Sequence, residues 1–179
     1  GDIEYLTQAV DLINQRPISG HAWRKAVFTV KTNGDYLGAV RTAQRAFKRV
    51  WERYLKTPNA AAFMSIEFGP KTGNVHAHVL LYCPYVAQPE LSAAWLNYTG
   101  DSWIVRVSAI PQSGMRKAIA EQVKYITKFG GDVEGSTKGM TPKKLVDVWQ
   151  ALRGKRVRLS ASYGLFRRDV LERRLEVEA

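Results

Sequence analysis

Two histidines two residues apart, His76 and His78 in "NVHAHVLLY" (74–82), are the part of this 179-residue chain best equipped for chemistry. The run is apolar and β-branched, so it reads as a strand. Alternation then puts both imidazoles on one face, one pleat apart, with Ala77 turned the other way beside Val75, Val79 and Leu81. Two imidazoles so placed can reach one ion, yet a histidine pair in a strand is more often packing than ligand. A third ligand should come from a neighbouring strand. Glu67 is the candidate, a carboxylate closing the apolar run "AAFMSIEF" (61–68), which the loop "GPKTGN" joins to the histidine strand as a hairpin. Two nitrogens and one carboxylate make a facial set with open positions. Such a set suits Mn²⁺, Mg²⁺ or another divalent cation in a catalytic role.

A second group of reactive side chains lies on the helix expected over 114–131. Glu121, Tyr125 and Lys128 recur at i, i+4 and i+7 and share one face, while Ile119, Val123 and Ile126 form a separate stripe that can anchor the helix on the sheet. A phenol close to a divalent ion is a competent nucleophile towards phosphorus. Taken alone, "YITK" reads as a half-buried tyrosine with a solvated lysine.

The elements that must position these residues follow from periodicity and turn chemistry. Helices are expected over 3–14 (with Asp2 as N-cap), 36–56, 88–98, 114–131, 141–152 (Thr141 at the N-cap, Pro142 at N1) and 165–176. Strands are expected over 25–32, 61–68, 75–82, 102–110 and 155–164. The order is α, β, α, β, β, α, β, α, α, β, α. It implies an α+β fold: a central five-stranded antiparallel sheet with helices packed mainly on one face. The length suits one domain, 1–179, with 1–20 as an N-terminal helical extension.

Composition narrows the partners. There are 27 Lys and Arg against 16 Asp and Glu, a net charge of +11, with a pI near 9.9. Residues 110–179 alone carry 15 basic against 8 acidic residues, a net of +7. That balance suits a partner made of phosphates, although a basic soluble protein with no such partner is about as common. The cations of the 36–56 helix, Arg41, Arg45, Lys48, Arg49 and Arg53, read as a solvated face. The single cysteine, Cys83, excludes an intrachain disulfide and a cysteine-rich zinc site. No apolar run approaches a membrane span, and the acidic, amphipathic start is unlike a secretory signal, which points to an intracellular protein.

Three segments together resemble the HUH endonucleases, named for His-hydrophobic-His, and within them the rolling-circle replication initiators of plasmids and small DNA viruses. "FTVKT" (28–32) is similar to the first motif, a strand. "EFGPKTGNVHAHVLL" (67–81) is similar to the second, and implies Glu67, His76 and His78 as metal ligands. "VKYITK" (123–128) is similar to the third, Y-x-x-K, and implies Tyr125 as nucleophile and Lys128 as its helper. The resemblance covers roughly residues 26–130 and implies a ferredoxin/RRM-like sheet. It implies metal-dependent, sequence-specific nicking and joining of single-stranded DNA at a replication-origin hairpin through a 5′-phosphotyrosine. Glu121, one turn before the tyrosine, is where some members carry a base for the terminating cleavage. The metal would be Mn²⁺ or Mg²⁺, the setting the cytoplasm of a bacterial or archaeal host with a plasmid or phage origin, and a host helicase and polymerase possible partners. Lys31, Arg106, Arg156, Arg158 and Tyr163, on or beside strands, are the candidates for contact with DNA.

The chain departs from parts of the family in having one tyrosine in the third motif, no helicase Walker motif and no third relaxase-type histidine, since His21 is distant in sequence. Competing readings are a single-tyrosine transposase of the same superfamily, a non-catalytic single-stranded nucleic-acid-binding domain on the same sheet, and a zinc metallohydrolase. The last is poorly equipped with ligands.

Overall fold

The computed structural model of the chain describes residues 2–127 and 140–178, and within them every side chain except those of residues 2, 3, 123–127, 175 and 178. It is an α+β fold. The strands are β1 (His21–Val30), β2 (Ala61–Phe68), β3 (Val75–Pro84), β4 (Val105–Ala109) and β5 (Ser160–Gly164). The helices are α1 (Asp2–Gln15), α2 (Tyr36–Val50), α3 (Gln88–Thr99), α4 (Met115–Thr127), α5 (Pro142–Leu152) and α6 (Arg168–Glu178). The order of elements is that expected from periodicity.

All pairings are antiparallel, in the spatial order β4-β1-β3-β2-β5. The histidine strand is therefore the centre of the sheet, and the hairpin with β2 sets Glu67 opposite His76 and Ser65 opposite His78. Thr29 and Val27 of β1 flank the two histidines on the other side.

Helices α2, α3 and α5 are bounded by legible local signals. The side chain of Asp35 caps α2 by accepting from the backbone N–H of Gly38 at 2.9 Å. Thr141 caps α5 through Lys144 N, with Pro142 following it. The chain leaves α3 at Gly100, whose φ of 86° is the left-handed conformation open to glycine. The expected helix 36–56 ends in one π-helical turn, Trp51–Leu55, which keeps Trp51 and Leu55 buried where a continuing α-helix would rotate them. Boundary shifts elsewhere occur at element ends: β1 spans His21–Val30, β4 spans Val105–Ala109, and the extended segment before Ser160 meets β2 through a bond from Ile66 N to Leu159 O.

Two cores sandwich the sheet, so the helices divide between its two faces instead of packing mainly on one, because the inner strands carry apolar side chains on both sides. The larger holds Phe28, Val79, Ala77, Met64 and Ile66 beneath α2, α3 and α5, with Phe47 and Trp95 against Phe28. The smaller lies on the other face, where Trp23, Phe63, Leu80 and Tyr82 meet residues of α1, α4 and α6. β2 is thus covered on both faces along most of its length, which accounts for its almost unbroken apolar sequence. Among the described residues, the second layer stops short of the end of the sheet that bears Glu67, His76 and His78. No helix among the described residues is long and apolar enough to cross a membrane.

Candidate metal centre

Glu67, His76 and His78 converge at that uncovered end. One ligand atom from each lies within 4.8 Å of the others, so the three could hold a single cation. All three are half-buried, with 20% of the His78 side chain and 25% of the Glu67 side chain exposed. That leaves the donors in a partly dry setting with one side open to a ligand. Although Glu67 is paired in register with His76, its Oε1 reaches diagonally to Nε2 of His78 at 3.1 Å. The centroids of the two rings are 6.2 Å apart.

Burial holds His76 below the ordinary imidazole range, with His78 and Arg106 pushing the same way and Glu67 opposing them. A neutral imidazole at neutral pH is the form that binds a metal. The donor set fits a divalent cation on chemical grounds: two neutral nitrogens, one carboxylate, and open positions on the solvent side.

The loop ahead of the histidines is shaped by the same packing. Gly69 N donates to Asn74 O and Gly73 N to Gly69 O, both at 2.8 Å, closing a tight hairpin loop. A Cβ on Gly69 would stand 3.2 Å from Nε2 of His76, so glycine is what leaves the ring its space. Two residues past β1, Thr32 Oγ1 donates to Gly73 O at 2.6 Å, tying the end of the "FTVKT" segment to this loop.

Helix α4 crosses the same face. Met115 and Ile119 sit in the smaller core with Leu80. Gln122, 6% exposed, donates through Nε2 to the carbonyl of His78 at 2.9 Å, to Ser65 Oγ at 3.1 Å and to Phe63 O at 3.2 Å. Glu121 is exposed and lines a cavity with Lys25, Val27, His78 and Gln122, so it stands near His78 alone of the three cluster residues. Tyr125 lies in the same helix, three residues or about one turn past Gln122; its side chain is outside the described residues. Lys128 lies wholly outside them. Gln122 and Lys25 were not singled out from sequence. The usable signal for Gln122 is a polar residue at helical spacing within the Ile119–Ile126 stripe.

The remaining candidates divide. Arg106, exposed on β4, shares the register row of Val27 and His78, two strands or about 10 Å from the latter. Lys31 is exposed just past Val30, at the end of β1 that flanks His76. Arg156 and Arg158 are exposed in the extended segment before β5. Leu159 packs on the larger core and its carbonyl accepts from Ile66 N, so alternation turns Arg158 to the other side, whereas Arg156 lies at a local turn, where Val157 N donates to Lys155 O, and strand alternation does not place it. Tyr163 is different. Its ring packs on Phe47 and Trp51 at 5.2 and 5.7 Å, on the opposite face of the sheet, and burial raises its pKa. It packs, partly buried, against the α2 layer, on the face of the sheet away from the histidines, which sets it apart from the other candidate DNA contacts. His21 pairs with Pro84 at the far end of β3, with its Nε2 2.8 Å from Thr57 Oγ1, and plays no part in the cluster.

No protein-family model, curated protein or solved structure matches the chain.

Proposed function

We propose that the chain is a rolling-circle replication initiator domain of the HUH type, nicking and joining single-stranded DNA through a phosphotyrosine on Tyr125. The observation that carries this reading is the convergence of Glu67, His76 and His78 within 4.8 Å at the open end of the sheet. A divalent cation, Mn²⁺ or Mg²⁺, held there would polarise the non-bridging oxygens of a phosphodiester.

The chain's own groups supply the rest. Tyr125 Oη attacks phosphorus and gives up its proton; the bond from phosphorus to the 3′-oxygen breaks, and that oxygen leaves as a 3′-hydroxyl once protonated. The 5′-phosphate stays on the tyrosine, preserving an ester for later rejoining. Lys128 offsets the charge that develops on the phenolate, whose ordinary pKa of ~10 makes such help useful. Glu121, beside His78, is the base for the closing cleavage. Lys25, Lys31, Arg106 and Arg158 surround the open face with positive charge suited to a single-stranded backbone. The partner is a replication-origin hairpin, with host helicase and polymerase acting afterwards in the cytoplasm.

The test is incubation with a pool of short single-stranded DNAs and Mn²⁺, read on a denaturing gel and by intact mass. The expected product is a covalent protein–DNA species that EDTA prevents and Tyr125→Phe abolishes while DNA binding persists. An adduct surviving in Tyr125→Phe, or none from any oligonucleotide, defeats the reading.

A further inference from the structure

Helix α2 turns Tyr36, Ala39, Val40, Ala43, Ala46, Phe47 and Val50 into the larger core. At 3.6 residues per turn, Arg41, Arg45 and Lys48 fall diametrically opposite, and all three are exposed. Arg49 and Arg53, also exposed, flank the row, and Glu52 is the only acid between 41 and 56. Among the described residues, Arg41, Arg45, Lys48 and Arg53 have no ion-pair partner. The spacing is unfavourable for the helix itself: 41/45, 45/49 and 49/53 set like charges at i, i+4, which destabilises an isolated helix. A solvated surface is better served by alternating signs. A row of one sign is what a polyanion requires.

We propose that the outward face of α2 is a second nucleic-acid surface, one that takes the phosphate backbone of a DNA duplex. Arg41 to Lys48 covers about 10 Å of helix, within which a duplex offers several phosphates. A single strand is the poorer fit, because it is held by exposed aromatic rings as well as by cations, and the rings that α2 itself carries, Tyr36 and Phe47, are buried. A membrane surface is poorer too, because an interfacial helix inserts an apolar face and that of α2 is consumed by the core. The helix covers the face of Ala77 and Val79, so the sheet separates this row from His76 and His78. A duplex bound here is a different DNA segment from one at the metal centre, and the inference stands apart from the nicking reaction.

The experiment measures binding of a labelled blunt duplex across a salt series by fluorescence anisotropy, for the parent and for R41Q/R45Q/K48Q. If all three contact phosphates, the slope of log affinity against log salt becomes shallower by about 2–3 and affinity at low salt falls about tenfold or more. Adduct formation on short single strands with Mn²⁺ is unchanged, so failure of the nicking reading appears in the parent and leaves the duplex measurement intact. The control R167Q/R173Q removes exposed cations from the α6 region and keeps the duplex affinity. The thermal midpoint of the triple variant stays at or above the parent's because like-charge pairs are relieved; if it falls, R41Q and R45Q singly carry the slope test. The proposal is overturned if the parent does not bind duplex, if the triple variant keeps the parent's slope, if R167Q/R173Q loses as much, or if single strands or anionic vesicles bind more tightly through the same three residues.

Discussion

Glu67 and His78 meet diagonally across the β2–β3 hairpin, Oε1 to Nε2 at 3.1 Å, although the strand register sets Glu67 opposite His76. This contact holds the carboxylate against one of the two imidazoles before any cation binds. A cation entering the cluster would replace it, because a ring nitrogen that binds a metal cannot also make that hydrogen bond.

The first consequence concerns ligand removal. Glu67→Ala and His78→Ala are each expected to weaken Mn²⁺ binding by about tenfold or more while leaving the fold intact, since both side chains are half-buried at the uncovered end of the sheet. Isothermal titration with Mn²⁺ checks this, and equal affinity in the parent and both variants rules out the cluster as the binding site.

Acid should act on the same centre. The folded-state pKa of His76 is depressed, so the unfolded chain takes up that proton more readily. Stability from this residue is therefore undiminished at neutral pH and lost as pH falls below the ordinary imidazole value of ~6.5. Histidine NMR shifts followed against pH should show His76 titrating below a free imidazole; titration at or above that value contradicts the account.

Gln122 should matter more than its surface-helix position suggests. Replacement by Ala removes the amide that the carbonyls of Phe63 and His78 and the Ser65 hydroxyl share as a donor, at a cost of about 1–3 kcal/mol. For a chain of this size each kcal/mol lowers the thermal midpoint by roughly 2–4 °C. A melt of Gln122→Ala within a degree or so of the parent would mean the amide anchors nothing.

The glycine ahead of the histidines offers a local test. Gly69→Ala puts a methyl 3.2 Å from His76 Nε2 and is expected to weaken Mn²⁺ binding with little change in far-UV circular dichroism. Unaltered metal affinity would show that the ring yields without consequence.

Cys83 gives a prediction at alkaline pH. Burial raises its thiol to about 11, with Arg24 opposing the shift. The neutral thiol is favoured by folding, so its contribution is present below the ordinary value and lost as pH rises through the folded one. Folded protein at mild pH should react with a thiol reagent far more slowly than protein in denaturant. Equal rates would place the thiol at the surface.

The sequence by itself determined what depends on near neighbours. Alternation placed His76 and His78 on one face, the Gly-Pro loop made β2 and β3 a hairpin, and the caps Asp35 and Thr141 started α2 and α5. These are set by periods of 2 and 3.6 and by turns a few residues long, all legible in one dimension. Tertiary structure alone decided which carboxylate atom reaches which ring, that α4 lays Gln122 on the carbonyl of His78, and that Tyr163 faces Phe47 instead of the histidines. Each depends on how distant elements dock. Sheet parity at β5 was the sharpest case, because a strand of five residues with serine on one side and Ala161 and Tyr163 on the other carries too weak an alternation to reveal its buried face. Pairing with β2 fixes that parity, and with it the side on which Arg158 and Tyr163 emerge.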